Sequence, residues 1–193
     1  INILLNKYTG QEDLIIGCGI AGRRHPDVER IVGMFVNSLA MRNFPQAHKS
    51  FQEFYTEVIE TSIQAYENQD VQFEDLVDML KVERDPSRNP IFDIALVVQN
   101  FEQSKTHFIQ SIIDDDHETP DFINTIYNQT FNTSKFDMTW FVHQKDDHLF
   151  IEVEYYAAIY NESTIERVTN HFKKILQTIL DNPNIVLSDI NML

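Results

Sequence analysis

The run IFDIALVVQN, Ile91–Asn100, constrains the fold more than any other stretch of this chain. A continuous apolar segment this short reads as a strand of the fully buried kind, which belongs inside a sheet covered on both sides. Segments of a different period surround it. Ser50–Asn68 carries Phe51, Phe54, Tyr55, Val58, Ile59 and Ile63 at the spacing of an amphipathic helix. Phe73–Leu80 places Phe73, Leu76, Val77 and Leu80 on one side of a second helix. Asp13–Ile20 reads as a strand that Gly22-Arg23-Arg24-His25-Pro26 breaks, with a short turn around Asp27–Ile31. Phe136–Gln144 and Leu149–Tyr156 alternate around Lys145-Asp146-Asp147, the pattern of a hairpin. In the last helix Ile165, Val168, Phe172, Ile175, Leu176 and Ile179 form one stripe, and Ser163 with Glu166 reads as a capping box. Residues 102–134 are the least patterned part and read as a long loop with one short strand. Strands and helices alternate at first and a hairpin follows, so the expected fold is α/β with a mixed sheet.

One residue resists this patterning. IVGMFVNSLAMRN, Ile31–Asn43, reads as a buried strand with Asn37 in its middle. At a period of two, Phe35, Asn37, Leu39 and Met41 share a face, so the amide points where apolar side chains point. A buried amide without partners costs about 1–3 kcal/mol. Two explanations stand: the core satisfies Asn37, or a cavity or ligand does.

The 193 residues suffice for one sizeable core or two small ones, and 42% hydrophobic residues with 14 Phe and 7 Tyr argue against disorder. A formal charge of −15 repels phosphate backbones and anionic lipid, which argues against nucleic acid or membrane as the main partner. No apolar run approaches about eighteen residues and no signal peptide is present, so a cytoplasmic location is expected. Cys18, the single cysteine, lies in IIGCGI and reads as a small buried hydrophobe rather than a nucleophile. No glycine-rich phosphate loop or paired-cysteine metal site occurs. The opening INILLNKYTG lacks a methionine and reads as an apolar helical run that Gly10 terminates, as if cut from something larger.

Three stretches follow one another: GRRHPDVERIVGMFVNSLAMRN, YENQDVQFEDLV and ERDPSRNPIFD. Together they resemble the condensation domain of nonribosomal peptide synthetases. That family has a segment close to IGMFVNTLALR after an AGR turn, nearly reproduced by Ile31–Arg42. Its HQDYPFE-like segment is met by Gln69, Asp70, Phe73 and Glu74, with departures at Asn68, Val71 and Gln72. Its RDxSRNPLF is matched by Arg84–Phe92 except at Ile91. Weaker echoes are YTGQED at Tyr8–Asp13 and KFDMT at Lys135–Thr139.

The resemblance implies a domain of two halves, each similar to chloramphenicol acetyltransferase, with the active site between them. The family's HHxxxDG segment, which carries the histidine implicated in catalysis, belongs to the amino-terminal half. No two histidines are adjacent here; HETPD at His117–Asp121 and HQKDD at His143–Asp147 both lack the preceding His and the following Gly. Residues 1–193 are therefore expected to be the carboxy-terminal half alone, inactive by itself, with no catalytic or metal-binding residue of its own.

Asn37, Gln69, Asp70, Arg84, Asp85, Ser87 and Arg88 are the candidate residues for a substrate tunnel or a structural motif. An amide at Asn37 suits a substrate amide or pantetheine arm as well as a buried network. RDxSRNP can fix its own loop through arginine–carboxylate and side chain to backbone bonds. Gln69 and Asp70 precede a helix that Asp70 would favour. The implied partners are the missing amino-terminal half and peptidyl carrier domains bearing 4′-phosphopantetheine, with no cofactor bound directly. The isolated half is expected to self-associate through the face it exposes. Two rival readings are a non-catalytic carrier-docking module and the related epimerization domain.

Overall fold

The computed structural model describes residues 1–28, 30–83, 85, 87–99, 133–145 and 148–192. Along the chain come α1 (Asn2–Thr9), β1 (Leu14–Ile20), β2 (Asn37–Asn43), α2 (Phe51–Glu67), α3 (Phe73–Leu80), β3 (Ile94–Gln99), β4 (Met138–Lys145), β5 (His148–Tyr155) and α4 (Glu162–Asp181). Short 3-10 turns occupy Pro26–Val28 and Leu187–Asp189. The sheet is mixed, in the order β2-β1-β3-β4-β5. β1 runs antiparallel to β2 and parallel to β3; β3 is parallel to β4, and β4 pairs with β5 as an antiparallel hairpin. The α/β class with a mixed sheet is as expected. Residues 102–132 of the long loop, His117–Asp121 within them, and Asp146 and Asp147 of the hairpin lie outside the described residues.

The core forms where one face of the sheet meets the helices. Pairing sets Ile94 beside Met138 and Leu96 beside Trp140, with Val153 across from Trp140. Against this layer pack Ile3 and Leu4 of α1, Phe54 of α2, Ile165, Val168, Ile175 and Ile179 of α4, and Leu187. Trp140 is 1% exposed, donates its indole N–H to Met138 Sδ at 3.0 Å, and lies 4.9 Å from the Phe172 ring. Among the described residues this cluster stops short of Val98, which is 50% exposed, so β3 is not buried throughout as its composition suggests. Two other apolar stripes are also less buried than their periodicity implies: Tyr55, Ile59 and Ile63 of α2 are exposed, as is Leu176 of α4.

Helix ends correct a further expectation. α4 starts at Glu162 with Asn161 at its N-cap and no side-chain cap bond. Ser163 is thus already inside the first turn and forms no capping box with Glu166. The box occurs instead on α2: Glu53 N donates to Ser50 Oγ at 3.2 Å, and Ser50 N donates to the Glu53 carboxylate at 2.8 Å. Ser50→Ala should therefore lower the unfolding free energy by about 1 kcal/mol, while Ser163→Ala changes it by less than about 0.5 kcal/mol. Urea denaturation of the two variants checks the contrast.

Candidate functional site

Asn37 is the first residue of β2 rather than its middle, and it is 6% exposed. The alternation holds from there on, with Asn37, Leu39, Met41 and Asn43 buried. Its Nδ2 donates to the carbonyls of Gln69 (3.0 Å) and Val71 (2.8 Å). Its Oδ1 accepts from Ser38 N (2.8 Å) and Phe73 N (3.1 Å). Both amide hydrogens and both oxygen lone pairs are thereby occupied within the chain. The consequence is local order at α3. Gln72 stands at the N-cap of that helix without a side-chain cap bond, and Asn37 satisfies the free N–H of Phe73 from across the fold. Asp70 does not cap the helix; its carboxylate takes a hydrogen bond from Arg24 Nη1 at 2.7 Å.

Residues 31–36 are not strand. β1 ends at Ile20, which pairs with Asn37, so the preceding segment has no neighbour in the sheet. Two of its carbonyls turn instead to Arg23, which donates to Ile31 O (2.8 Å) and Gly33 O (3.2 Å) and also to Val28 O just before the segment. The same guanidinium lies 4.3 Å from the centre of the Phe35 ring. Gly22 makes the approach possible: its φ is +64°, and a Cβ there would stand 1.9 Å from the Phe35 carbonyl oxygen. Arg23 was not among the residues singled out by pattern. The available signal was a Gly-Arg pair ahead of an apolar, glycine-interrupted run, where a forked donor can collect carbonyls.

The third motif stretch closes on itself. Asp85 Oδ1 accepts from Ser87 N (2.8 Å) and Ser87 Oγ (2.7 Å), bonds that hold its carboxyl below the usual carboxylate range. Arg88 forms an ion pair with Asp93, which raises the guanidinium further above its ordinary value. Asn89 Nδ2 donates to Lys135 O at 3.0 Å, anchoring the loop to the start of the hairpin. Ile91 takes φ 119°, a region costing a β-branched residue about 1–3 kcal/mol. The loop lines an open cavity of about 670 Å³ that Asp85, Arg88 and Asp93 face. Beside it, burial and the charge of Asp93 push the Asp137 carboxyl up, with Arg88 opposing them. Arg84 lies outside the described residues.

A run of rings joins the two groups. Phe73, held at its N–H by Asn37, lies 5.3 Å from Phe92, and Phe92 lies 5.3 Å from Phe136. Phe92 in turn covers Gly17 of β1 so closely that a Cβ there would be 2.0 Å from its ring. Asn37 is therefore bonded to the backbone at Gln69, while Asp70 pairs with Arg24 instead. Asp85, Ser87 and Arg88 form a second bonded group, with Phe92 of the same stretch reaching Phe73. Cys18 is buried, with burial pushing its thiol up and Tyr66 Oη at 3.9 Å. His143 sits in β4, opposite Phe150. Among the described residues no group of three or more His, Cys, Asp or Glu is placed to hold a metal ion, and no helix is long and apolar enough to cross a membrane.

A family model described as Condensation domain matches residues 1–193. Gramicidin S synthase 2 of Aneurinibacillus migulanus is 42% identical over 192 residues, which cover 100% of this chain and 4% of that protein. Among solved structures, a four-domain nonribosomal peptide synthetase bound to AMP and glycine is similar at a TM-score of 0.82 and 18% identity, over 98% of this chain and 15% of its own. The first condensation domain of the CDA synthetase is similar at a TM-score of 0.74 and 14% identity, over 100% of this chain and 40% of its own. At these identities the two structures establish the fold. The chain spans 4% of the length of the synthase it matches.

Proposed function

This chain belongs to the condensation-domain family, and from that premise we propose that it is the carboxy-terminal half of a domain that joins carrier-bound aminoacyl or peptidyl thioesters through an amide bond. The observation that carries the reading is the convergence of the three motif stretches into one linked assembly. Asn37 ties the first to the second, and Phe73 and Phe92 tie the second to the third.

In the reaction the free amine of the acceptor attacks the donor thioester carbonyl. The tetrahedral intermediate then expels the donor thiol, leaving the lengthened acyl chain on the acceptor carrier. Both reactants arrive tethered, so most of the rate gain comes from holding amine and carbonyl together, worth an effective concentration of about 10⁵–10⁸ M when alignment is good. On this reading the residues here are positioning residues. Asn37 fixes the 69–73 loop and the start of α3, and Arg88 with Asp93 fixes the loop lining the cavity. The proton transfer belongs to a histidine of the other half. The 4′-phosphopantetheine arm comes as part of the substrate, and the location is the cytoplasm.

The test uses the full-length domain with one carrier loaded as donor and one as acceptor, read by mass spectrometry of the carriers. Amide on the acceptor carrier supports the proposal, and this chain by itself should give none above the uncatalysed control. A donor thioester inverted at its α-carbon without amide would mean an epimerization domain. Carriers retained without any reaction would mean a docking module.

A further inference from the structure

Among the described residues the non-glycine positions with a positive φ are Lys81 and Ile91, at 51° and 119°. Lys81 ends α3, where a left-handed residue is ordinary. Ile91 has no such place, and backbone of this kind persists only where its surroundings over-determine it. Here they do. Before Ile91, Asn89 is bonded to Lys135 O at 3.0 Å, and the ring of Pro90 locks its own φ. After it, the Asp93 carbonyl accepts from Asp137 N at 2.9 Å and the Asp93 carboxylate pairs with Arg88. Phe92 is 5% exposed, with the Phe73 and Phe136 rings each 5.3 Å away. Its ring fills the space a side chain at Gly17 would take: Cε2, Cζ and Cδ2 lie 2.0, 2.3 and 2.4 Å from where that Cβ would stand. Gly17 pairs with Ala40 on one side and Ala95 on the other, so only small residues flank this seat on the sheet. With Asn89 held, Pro90 rigid and Phe92 seated, Ile91 is the residue left to absorb the turn.

We propose that Gly17 is a positioning residue for the cavity wall formed by Arg88, Asn89, Pro90 and Ile91. The bare position in β1 admits the Phe92 ring, and the seated ring holds Ile91 in the conformation that shapes the wall. A methyl group at position 17 and the ring cannot share this space, so the ring must leave and Ile91 relaxes with it. A displacement of about 1 Å in a positioning element is enough to cost about a hundredfold in rate. The inference deepens the reading of this loop as part of what positions the carrier-bound reactants, and its effect on turnover rests on that reading.

The test compares Gly17→Ala, Phe92→Leu and the two together in the full-length domain, by tryptic cutting of the native protein and by amide formation between loaded carriers. The cut after Arg88 reports opening of the loop, and the cut after Lys173, within α4, reports opening of the whole fold. Gly17→Ala should speed the cut after Arg88 at least about tenfold and leave the cut after Lys173 within about twofold. It should also lower turnover at least about tenfold. Phe92→Leu removes the ring that the methyl group meets, so the double variant should fall within about threefold of Phe92→Leu alone in both measurements. A Gly17→Ala domain unchanged in the cut after Arg88 overturns the seat. A defect that Phe92→Leu does not relieve places the effect in β1 itself and overturns the route through Phe92. Faster cutting after both Arg88 and Lys173, or after Arg88 with turnover unchanged, overturns the positioning role. Should Gly17→Ala fail to fold, Phe92→Leu decides alone: it should speed the cut after Arg88 and lower turnover, and a change in neither overturns the proposal. An unaltered domain that forms no amide defeats the functional reading, and the cut after Arg88 still decides the seat.

Discussion

Asn37→Ala should lower the unfolding free energy by about 3 kcal/mol, since removing the amide orphans polar groups that cost about 1–3 kcal/mol each when buried and less where water reaches them. The groups are the Gln69 and Val71 carbonyls and the Ser38 and Phe73 N–H groups. Asn37→Ser keeps a hydroxyl but shortens its reach, so it should recover only a minor part. Asn37→Asp is the sharper probe. Its oxygens still accept from Ser38 and Phe73, but one of them now faces two carbonyls where an N–H₂ stood. The ionised form is disfavoured in the fold, so the folded pKa of the new carboxyl rises above its unfolded value. Its stability is then fully present below the unfolded pKa and lost as pH rises through the folded one, opposite to the usual acid denaturation. Chemical denaturation of the three variants at neutral and acidic pH measures both effects. A loss below about 1 kcal/mol for Asn37→Ala would mean that the 69–73 loop is held by something else.

Trp140→Ala should cost about 3–5 kcal/mol, the range for truncating a large buried aromatic to a methyl group. Trp140 joins β4 to α4 through Phe172 and is among the most buried side chains in the cluster that also takes in α1 and Leu187. The loss therefore falls on the junction of β4 with α4. Trp140→Phe should cost about half as much, since it keeps a ring against Phe172 and gives up the Met138 contact. Circular dichroism is the readout, because Trp140 is the chain's single tryptophan. A cost under about 1 kcal/mol would place the centre of the core elsewhere.

What the sequence disclosed depended on the range of the interaction. α3 is Phe73–Leu80 as its periodicity implies, and the hairpin partners β4 and β5 follow from alternation. Asn37 was identifiable as a polar residue in an apolar run. Its partners were not, because three of the four lie 32 to 36 residues away and all four are backbone groups, which leave no trace in composition. The segment Ile31–Val36 misled for a related reason: its apolar residues satisfy a strand pattern, but strand needs a neighbour, and Arg23 had already taken the carbonyls. Arg23 itself sits among Arg24 and His25, where charge reads as solvated surface. The misplaced capping box has a simpler cause. Ser-x-x-Glu occurs at both Ser50 and Ser163, and only the residue at which the chain leaves extended backbone decides which one caps.

In the proposed reaction this chain positions the reactants, and proton transfer falls to the rest of the domain. His143→Ala in the full-length domain, with donor and acceptor carriers loaded, tests that division most directly. His143 is the histidine of a partial HxxxD match that the structure describes, on β4 at the hairpin. Turnover should stay within about twofold of the unaltered domain, whereas removing a general base typically costs about 10²–10⁴-fold. A loss of a hundredfold or more, with the fold intact by circular dichroism, would place the catalytic proton transfer in this chain and contradict the proposed division.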